Sequence, residues 1–488
     1  MKRISLAGLL LAALFCVPAA RSQQSTPDQG TSTPAAPDQP LPAPNTTPSS
    51  GSTNDAGAAP AGRSLLGSDA ADQSPADTLP LSGAQQLTIP GTTEPTNFFD
   101  ASALFSGSGD SGVINAQKLP TWGASEVAGG EITVDRSWNA DRFALSYSGG
   151  GLFYQPSALY PDAMFHTLSV GQQFAWKRLT LRLMDQFSYS PTSLFGGAGL
   201  GGPGLLAETG QTTTPLSPIY GVSDTILTGE SRVVNNSAVG EIQYNFSLRS
   251  SFTVTGSYGV LDYEGGGYIS SHDYVVSAGY NYALTPKDAL AATYSFTQTQ
   301  FTGAPENLSF EAVNLAYSHQ VSGRLVFQIS AGPEFTEFHN YTPSVGNAVG
   351  FSVDTGLQYR LRRSSFGAAF SRGDNAGSGV FFGSVSDSVT GNVSHQFSRF
   401  LTGVVYVGYS KSGSLVSVPG VANEFHDWFI GASLGRQFGR YTHLSFNYGA
   451  EQQPSDGICP VTSCGTNQVV QTIGVALDLH IHPIGTVE

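Results

Sequence analysis

The chain has 488 residues, of which only 12% are Asp, Glu, Lys or Arg, while Gly (58), Phe (29) and Tyr (20) are plentiful. A soluble domain carries roughly 25% charged residues, so this chain lacks the charge to coat a water-facing surface. Its formal net charge of -14 argues against a nucleic-acid partner, which would require clustered Lys and Arg to neutralise phosphates.

Residues 1–22, MKRISLAGLLLAALFCVPAARS, read as a secretory signal peptide. Lys2 and Arg3 precede an apolar core from Ile4 to Val17, and small Ala20 and Ser22 supply a cleavage site. Losing Lys2, Arg3 and Arg21 takes the net charge from -14 to -17. Residues 23–95 are rich in Pro, Ser, Thr and Ala, as in STPAAPDQPLPAPNTTPSS. Such a segment buries too little apolar area to offset ordering and is expected to be a disordered tail. No later run of 18 apolar residues would make a transmembrane helix.

From residue 96 the texture changes to alternation. In LTLRLMDQFSY, Leu179, Leu181, Leu183, Phe187 and Tyr189 share one face, and Thr180, Arg182, Gln186 and Ser188 the other. GEIQYNFSL and FSVDTGLQYRLR repeat the pattern, with Glu241 on the polar face of the first and Asp354 and Arg360 on that of the second. A period of two is that of a strand with one apolar and one polar face. Successive segments form hairpins with tight centres such as WKR, TPKD and SGR, separated by longer connections, the largest from about 191 to 235. Lys177, Arg178, Arg249, Lys287, Arg324, Arg362, Arg363, Arg399 and Arg440 all fall at the tight turns.

Segments of about 10 to 14 residues are too long for most sandwich strands, and suit a tilted strand crossing a membrane. Open edges cannot be left in lipid, so the sheet must close. The prediction is an all-β, transmembrane, antiparallel up-and-down barrel over residues 96–488, with 16–18 strands and 18 preferred. Eight hairpins between about 126 and 453, plus a last strand near 469–482, leave an odd count. TNFFDASALFS, residues 96–106, supplies the missing strand and is expected to pair with the last one.

These features resemble the outer-membrane β-barrel proteins of Gram-negative bacteria, in particular the larger porin-like ones. The resemblance implies a cell outer-membrane location, embedding in outer-membrane lipid, and insertion by the barrel-assembly machinery. It also implies passive diffusion of small hydrophilic solutes, with no cofactor, and a homo-oligomer is compatible with it. Two alternatives are a non-conducting barrel acting as a structural, assembly or secretion partner, and a hydrolase at the barrel rim.

Arg182, Glu241, Asp354, Arg360, Asp478 and His480 are the pore-lining candidates. By likeness to general porins, the 191–235 segment would fold inward, making Glu208, Asp224 and Glu230 candidate constriction acids. Cys459 and Cys464 in CPVTSC are expected to form a disulfide in the last long loop. The terminal DLHIH, Asp478 to His482, is spaced like a metal site, but Ile473, Val475, Leu477, Leu479 and Ile481 alternate with it, so a closing strand is the better reading. SHDY and FHDW each place a His beside an Asp. Adjacent strand residues face opposite ways, so Asp273 and Asp427 are expected inward, His272 and His426 outward, and no catalytic dyad forms. No catalytic or metal residue is assigned.

Overall fold

The computed structural model describes residues 97–114, 120–138, 141–155, 162–193, 230–264, 268–341, 344–376, 380–416, 423–439, 441–454, 469–481 and 484–485. The segments read as signal peptide and tail lie outside the described residues, as do Glu208, Asp224, Cys459, Cys464 and His482. No described helix is long and apolar enough to cross a membrane.

Eighteen antiparallel strands close into one barrel. In chain order they are β1 (Phe98–Ile114), β2 (Pro120–Trp138), β3 (Asp141–Gln155), β4 (Ala163–Ala175), β5 (Leu179–Ser193) and β6 (Glu230–Asn245). There follow β7 (Ser250–Glu264), β8 (Ser271–Thr285), β9 (Asp288–Phe301), β10 (Asn307–Ser322), β11 (Leu325–His339) and β12 (Ala348–Arg360). The last six are β13 (Ser364–Asn375), β14 (Ser384–Ser398), β15 (Leu401–Ser414), β16 (Glu424–Phe438), β17 (Thr442–Gln452) and β18 (Val470–His480). Each strand pairs with its sequence neighbours, and β1 pairs with β18 in the register Ser102↔His480, Leu104↔Asp478 and Asp110↔Thr472. The strand expected over 96–106 is thus present and closes the sheet, although it runs eight residues further, to Ile114. A two-residue stub, Ile484–Gly485, extends the same seam on Phe98 and Phe99.

Tight turns close one end of the barrel. The Trp176 amide donates to the Leu179 carbonyl at 2.8 Å, and the Leu361 amide to that of Ser364 at 2.7 Å. The other end carries the longer connections. Short turns with long opposite loops are the asymmetry of outer-membrane barrels, the turns being periplasmic.

Polarity runs inside out. On β8, Tyr274, Val276, Tyr280 and Tyr282 are exposed, whereas Ser271, Asp273, Ser277 and Asn281 are buried on the opposite face. Exposed large apolar residues of this kind recur on strand after strand, among them Ile242, Leu315, Phe351, Val407 and Ile473. Trp138 and Trp176 are exposed near the turn end and Trp122 near the loop end, where indoles favour the two interfaces. Lipid tails solvate such a belt, and water would not. The outer surface is therefore that of a membrane-spanning barrel.

One interior irregularity has a local cause. The β10–β11 ladder keeps its register but is interrupted between Ala312↔Glu334 and Leu315↔Ala331. Pro333 lies within the gap and has no N–H to give to a ladder. Beside it, a Cβ on Gly332 would stand 1.7 Å from the Val313 carbonyl oxygen, a backbone atom that cannot yield, so only glycine permits this approach.

Because Val276 faces lipid, Val276→Arg is expected to lower stability by about 2–4 kcal/mol if it lies near the bilayer midplane. Denaturant titration of folding into vesicles reads this directly.

Candidate functional site: the barrel lumen

The inward face begins with residues that alternation hides from lipid. On β5 and β6, Arg182 and Glu241 stand directly opposite each other and form an ion pair, with Glu241 only 1% exposed. Arg182 also donates from Nε to Gln173 at 3.3 Å. Arg142 on β3 holds fully buried Asp135 on β2 in the same way. Each guanidinium offers a rigid fork of donors, which suits it for neutralising a carboxylate removed from bulk water.

A second group sits on the closing seam. His480 on β18 lies 3.2 Å from Asp100 on β1 and 3.0 Å from Asp478, its neighbour two residues back on the same face. His443 on β17 is paired in register with Asp478, and Glu131 on β2 stands opposite Ser102 of β1. Glu131 accepts from Thr133 at 3.1 Å and Ser146 at 3.4 Å. Three carboxylates and two imidazoles are thereby gathered towards the turn end of the lumen.

A third group occupies the far wall. The Asp374 amide donates to Glu334 Oε2 at 3.0 Å, and Thr336 Oγ1 donates to Asp374 Oδ2 at 2.5 Å. Asp354 shares the polar parity of β12 with Ser352, whose hydroxyl donates to Asn314 at 2.7 Å. On β8, buried Asp273 accepts from Thr299 at 2.5 Å, whereas His272 faces the other way and meets the Tyr258 hydroxyl at 3.3 Å. His426 likewise meets Tyr409 at 2.8 Å on the outer face. Among the described residues, no group of three or more His, Cys, Asp or Glu is arranged to hold a metal ion.

The loop end of the lumen also holds an apolar cluster. Between β13 and β14, Val380-Phe381-Phe382-Gly383 turns inward. Phe381 packs on Phe425 of β16 at a ring-centroid distance of 5.3 Å, within a cluster containing Val233 of β6 and Leu261 and Tyr263 of β7. β7 and β16 are nine strands apart in an 18-stranded ring, so this cluster spans the lumen. Phe382 packs edge-on against Phe301 of β9 at 4.9 Å, alongside Leu308 and Phe310 of β10. Backbone bonds fix the segment: the Gly383 amide donates to Ala376 at 2.9 Å, the Leu415 amide to Gly383 at 3.0 Å, and the Tyr341 hydroxyl to Phe382 at 3.1 Å. Gly383 adopts φ of 93°, which a side chain would strain. Burying one such Phe contributes about 1.5–3 kcal/mol, enough to offset about 1–2 kcal/mol for fixing its backbone.

Of the candidates named from sequence, Arg182 and Glu241 are brought together, as are Asp478 and His480. Asp354 and Arg360 stay apart on β12, the latter at its turn end, where its amide donates to Arg324. Glu230 begins β6. Sequence reasoning missed Asp100, Glu131 and His443, which depend on which strands close the seam. It also missed GVFFGS, where two Phe between glycines in a connecting segment were a readable sign of a buried loop.

Removing the guanidinium should leave Glu241 buried without its ion-pair partner. Arg182→Ala is therefore expected to cost about 3–5 kcal/mol, measured as a shift in denaturant midpoint. Phe381→Ser combined with Phe425→Ala should open the apolar cluster and raise single-channel conductance. An unchanged conductance would show that this cluster does not limit the path.

No family model matches the chain, and neither does any curated protein. Solved structures do. OpdQ of Pseudomonas aeruginosa is 9% identical with a TM-score of 0.42, the match covering 80% of this chain and 99% of that one. OccK2 (OpdF) of the same organism, solved in complex with glucuronate, is 12% identical with a TM-score of 0.42, over 80% and 98%. A BenF-like porin from Pseudomonas fluorescens Pf-5 is 10% identical with a TM-score of 0.41, over 79% and 98%.

Proposed function

We propose that the protein is a porin-like channel for passive diffusion of small hydrophilic solutes. The observation that carries this reading is the polar inner face, lined with acids and arginines, of a closed 18-stranded barrel whose outer face is apolar. Burying carboxylates and guanidiniums inside a barrel is costly unless they are paired or wet. A water-filled path beside Asp354, Asp374, Asp478 and Arg360 accounts for their inward placement better than a dry core does. Arg182, Glu241 and His480 complete the proposed lining, and the 380–383 segment is the proposed constriction. Solutes would cross in both directions down their gradients, without a cofactor.

One observation favours a second reading. The apolar cluster around Phe381 crosses the mouth, as expected of a barrel closed to solutes that serves as a structural or assembly partner. Hydrophobic constrictions also act as gates by dewetting, so the cluster is compatible with a narrow channel. In the channel reading, purified full-length protein in planar bilayers gives stepwise current increments. A tight electrical seal at high protein density would favour the closed barrel instead.

A further inference from the structure

The apolar outer face is broken in the middle of β5. Its lipid-facing positions are Leu179, Leu181, Leu183, Asp185, Phe187 and Tyr189, so a carboxylate stands between Leu183 and Phe187. Asp185 lies six residues from Leu179 at the turn end of the strand and eight from Ser193 at the loop end. In a strand tilted by about 40°, six residues rise roughly 15 Å, well inside an apolar band about 25 Å tall. Asn236 breaks the outer face of β6 in the same way, between Val234 and Ala238, and Gln172 that of β4, between Val170 and Phe174.

These side chains leave the carboxylate only partly satisfied. Asn236 donates from Nδ2 to Asp185 Oδ1 at 3.2 Å and, more weakly, to the Gln186 carbonyl at 3.4 Å, while Gln172 donates to the Gln173 carbonyl at 3.1 Å. Among the described residues no cation and no second donor reaches the half-buried Asp185 carboxylate. An ionisable side chain at membrane depth ordinarily faces protein or water and has a partner there.

The surface beside the break is bare. Gly240 of β6 and Gly256 of β7 are in register on the outer face. A Cβ on Gly256 would meet nothing within 4 Å, and one on Gly240 only Leu183 Cδ2, at 3.5 Å. Outward Gly151 and Gly403, by contrast, are roofed by the rings of Phe153 at 2.9 Å and Phe397 at 2.8 Å. With Ala238, the two bare glycines form a recess where another backbone can come close, as small residues permit between membrane-spanning elements.

We infer that the outer face of β5, β6 and β7 is the contact surface of a homodimer, a second copy of this chain docking about a two-fold axis along the membrane normal between β5 and β6. The hydrogen-bonding balance of the patch selects this occupant. It holds an acceptor without a donor, Asp185 Oδ2, and a poorly used amide proton, the one Asn236 directs at Gln186. Because Asp185 and Asn236 bond to each other they lie at one depth. A two-fold rotation about the membrane normal preserves depth and sets Asp185 of each copy against Asn236 of the other. Each copy then supplies the donor the other lacks, which a lipid tail cannot do. The inference concerns the outer face and does not depend on whether the lumen conducts.

The test counts subunits by single-molecule photobleaching of full-length protein, carrying one N-terminal fluorophore, in phospholipid vesicles at low protein density. Two bleaching steps should predominate. Asp185→Leu makes the apolar face of β5 continuous, so the barrel should still fold while the dimer dissociation constant rises by on the order of tenfold, two exchanged hydrogen bonds being lost per dimer. Gly256→Phe, which fills the recess without touching Asp185, should also shift the traces to single steps. Single-step or three-step traces in the unsubstituted protein would overturn the inference, as would dimers that persist in both variants. So would an Asp185→Leu barrel that loses denaturant stability while its dimers persist, because Asp185 would then serve only to hold β5 to β6.

Discussion

Every feature of this molecule follows from one constraint, that no backbone N–H or C=O can be left unpaired in hydrocarbon. A sheet meets it only by joining its first strand to its last. The β1–β18 ladder does this along nearly all of β18, from Asp110↔Thr472 to Ser102↔His480. The seam brings residues nearly four hundred positions apart into contact, and the Asp100–His480 interaction exists only because the sheet closes.

Closure also sorts the side chains. With the outer face given to lipid, a charge on a strand must face inward, lie near the ends of the outer belt or be covered by a partner. Inward, the two fully buried acids Asp135 and Glu241 each have an arginine. Outward, Arg372 and Asp387 pair at 2.8 Å, and Lys411 and Glu424 at 3.0 Å, all within four residues of the loop ends of β13 to β16. Pairing lowers the penalty where headgroups and water begin. On β16, β17, β18, β1 and β2 no described Lys or Arg shares the inward face, and the basic side chains beside the seam acids are His443 and His480.

The loop end works by a different rule. Phe381, Phe382 and Val380 cannot face water without penalty, and the belt of lipid lies on the other side of the wall. The inner faces of β6, β7, β9, β10 and β16 supply apolar partners, Val233, Leu261, Phe301, Leu308 and Phe425. The same hydrophobic drive that keeps the exterior in lipid therefore draws a loop into the lumen.

Much of the architecture was legible in the sequence, because a period of two is a local property. The eight hairpins, the tight turns bearing Lys and Arg, the terminal strands and the inward parity of Arg182, Glu241, Asp478 and His480 depend on neighbours a few residues apart. Asp478, His480 and His482 could be recognised as half of an alternation for the same reason. What only the tertiary structure decided is non-local. The company of Asp478 depends on which strands meet at the seam and in what register, which brings Asp100, Glu131 and His443 beside it. The seat of Phe381 depends on ring size, since only an 18-strand circumference puts β7 and β16 on opposite sides of the lumen for one short loop to bridge. Alternation states which face a residue takes, and closure alone determines what it meets there.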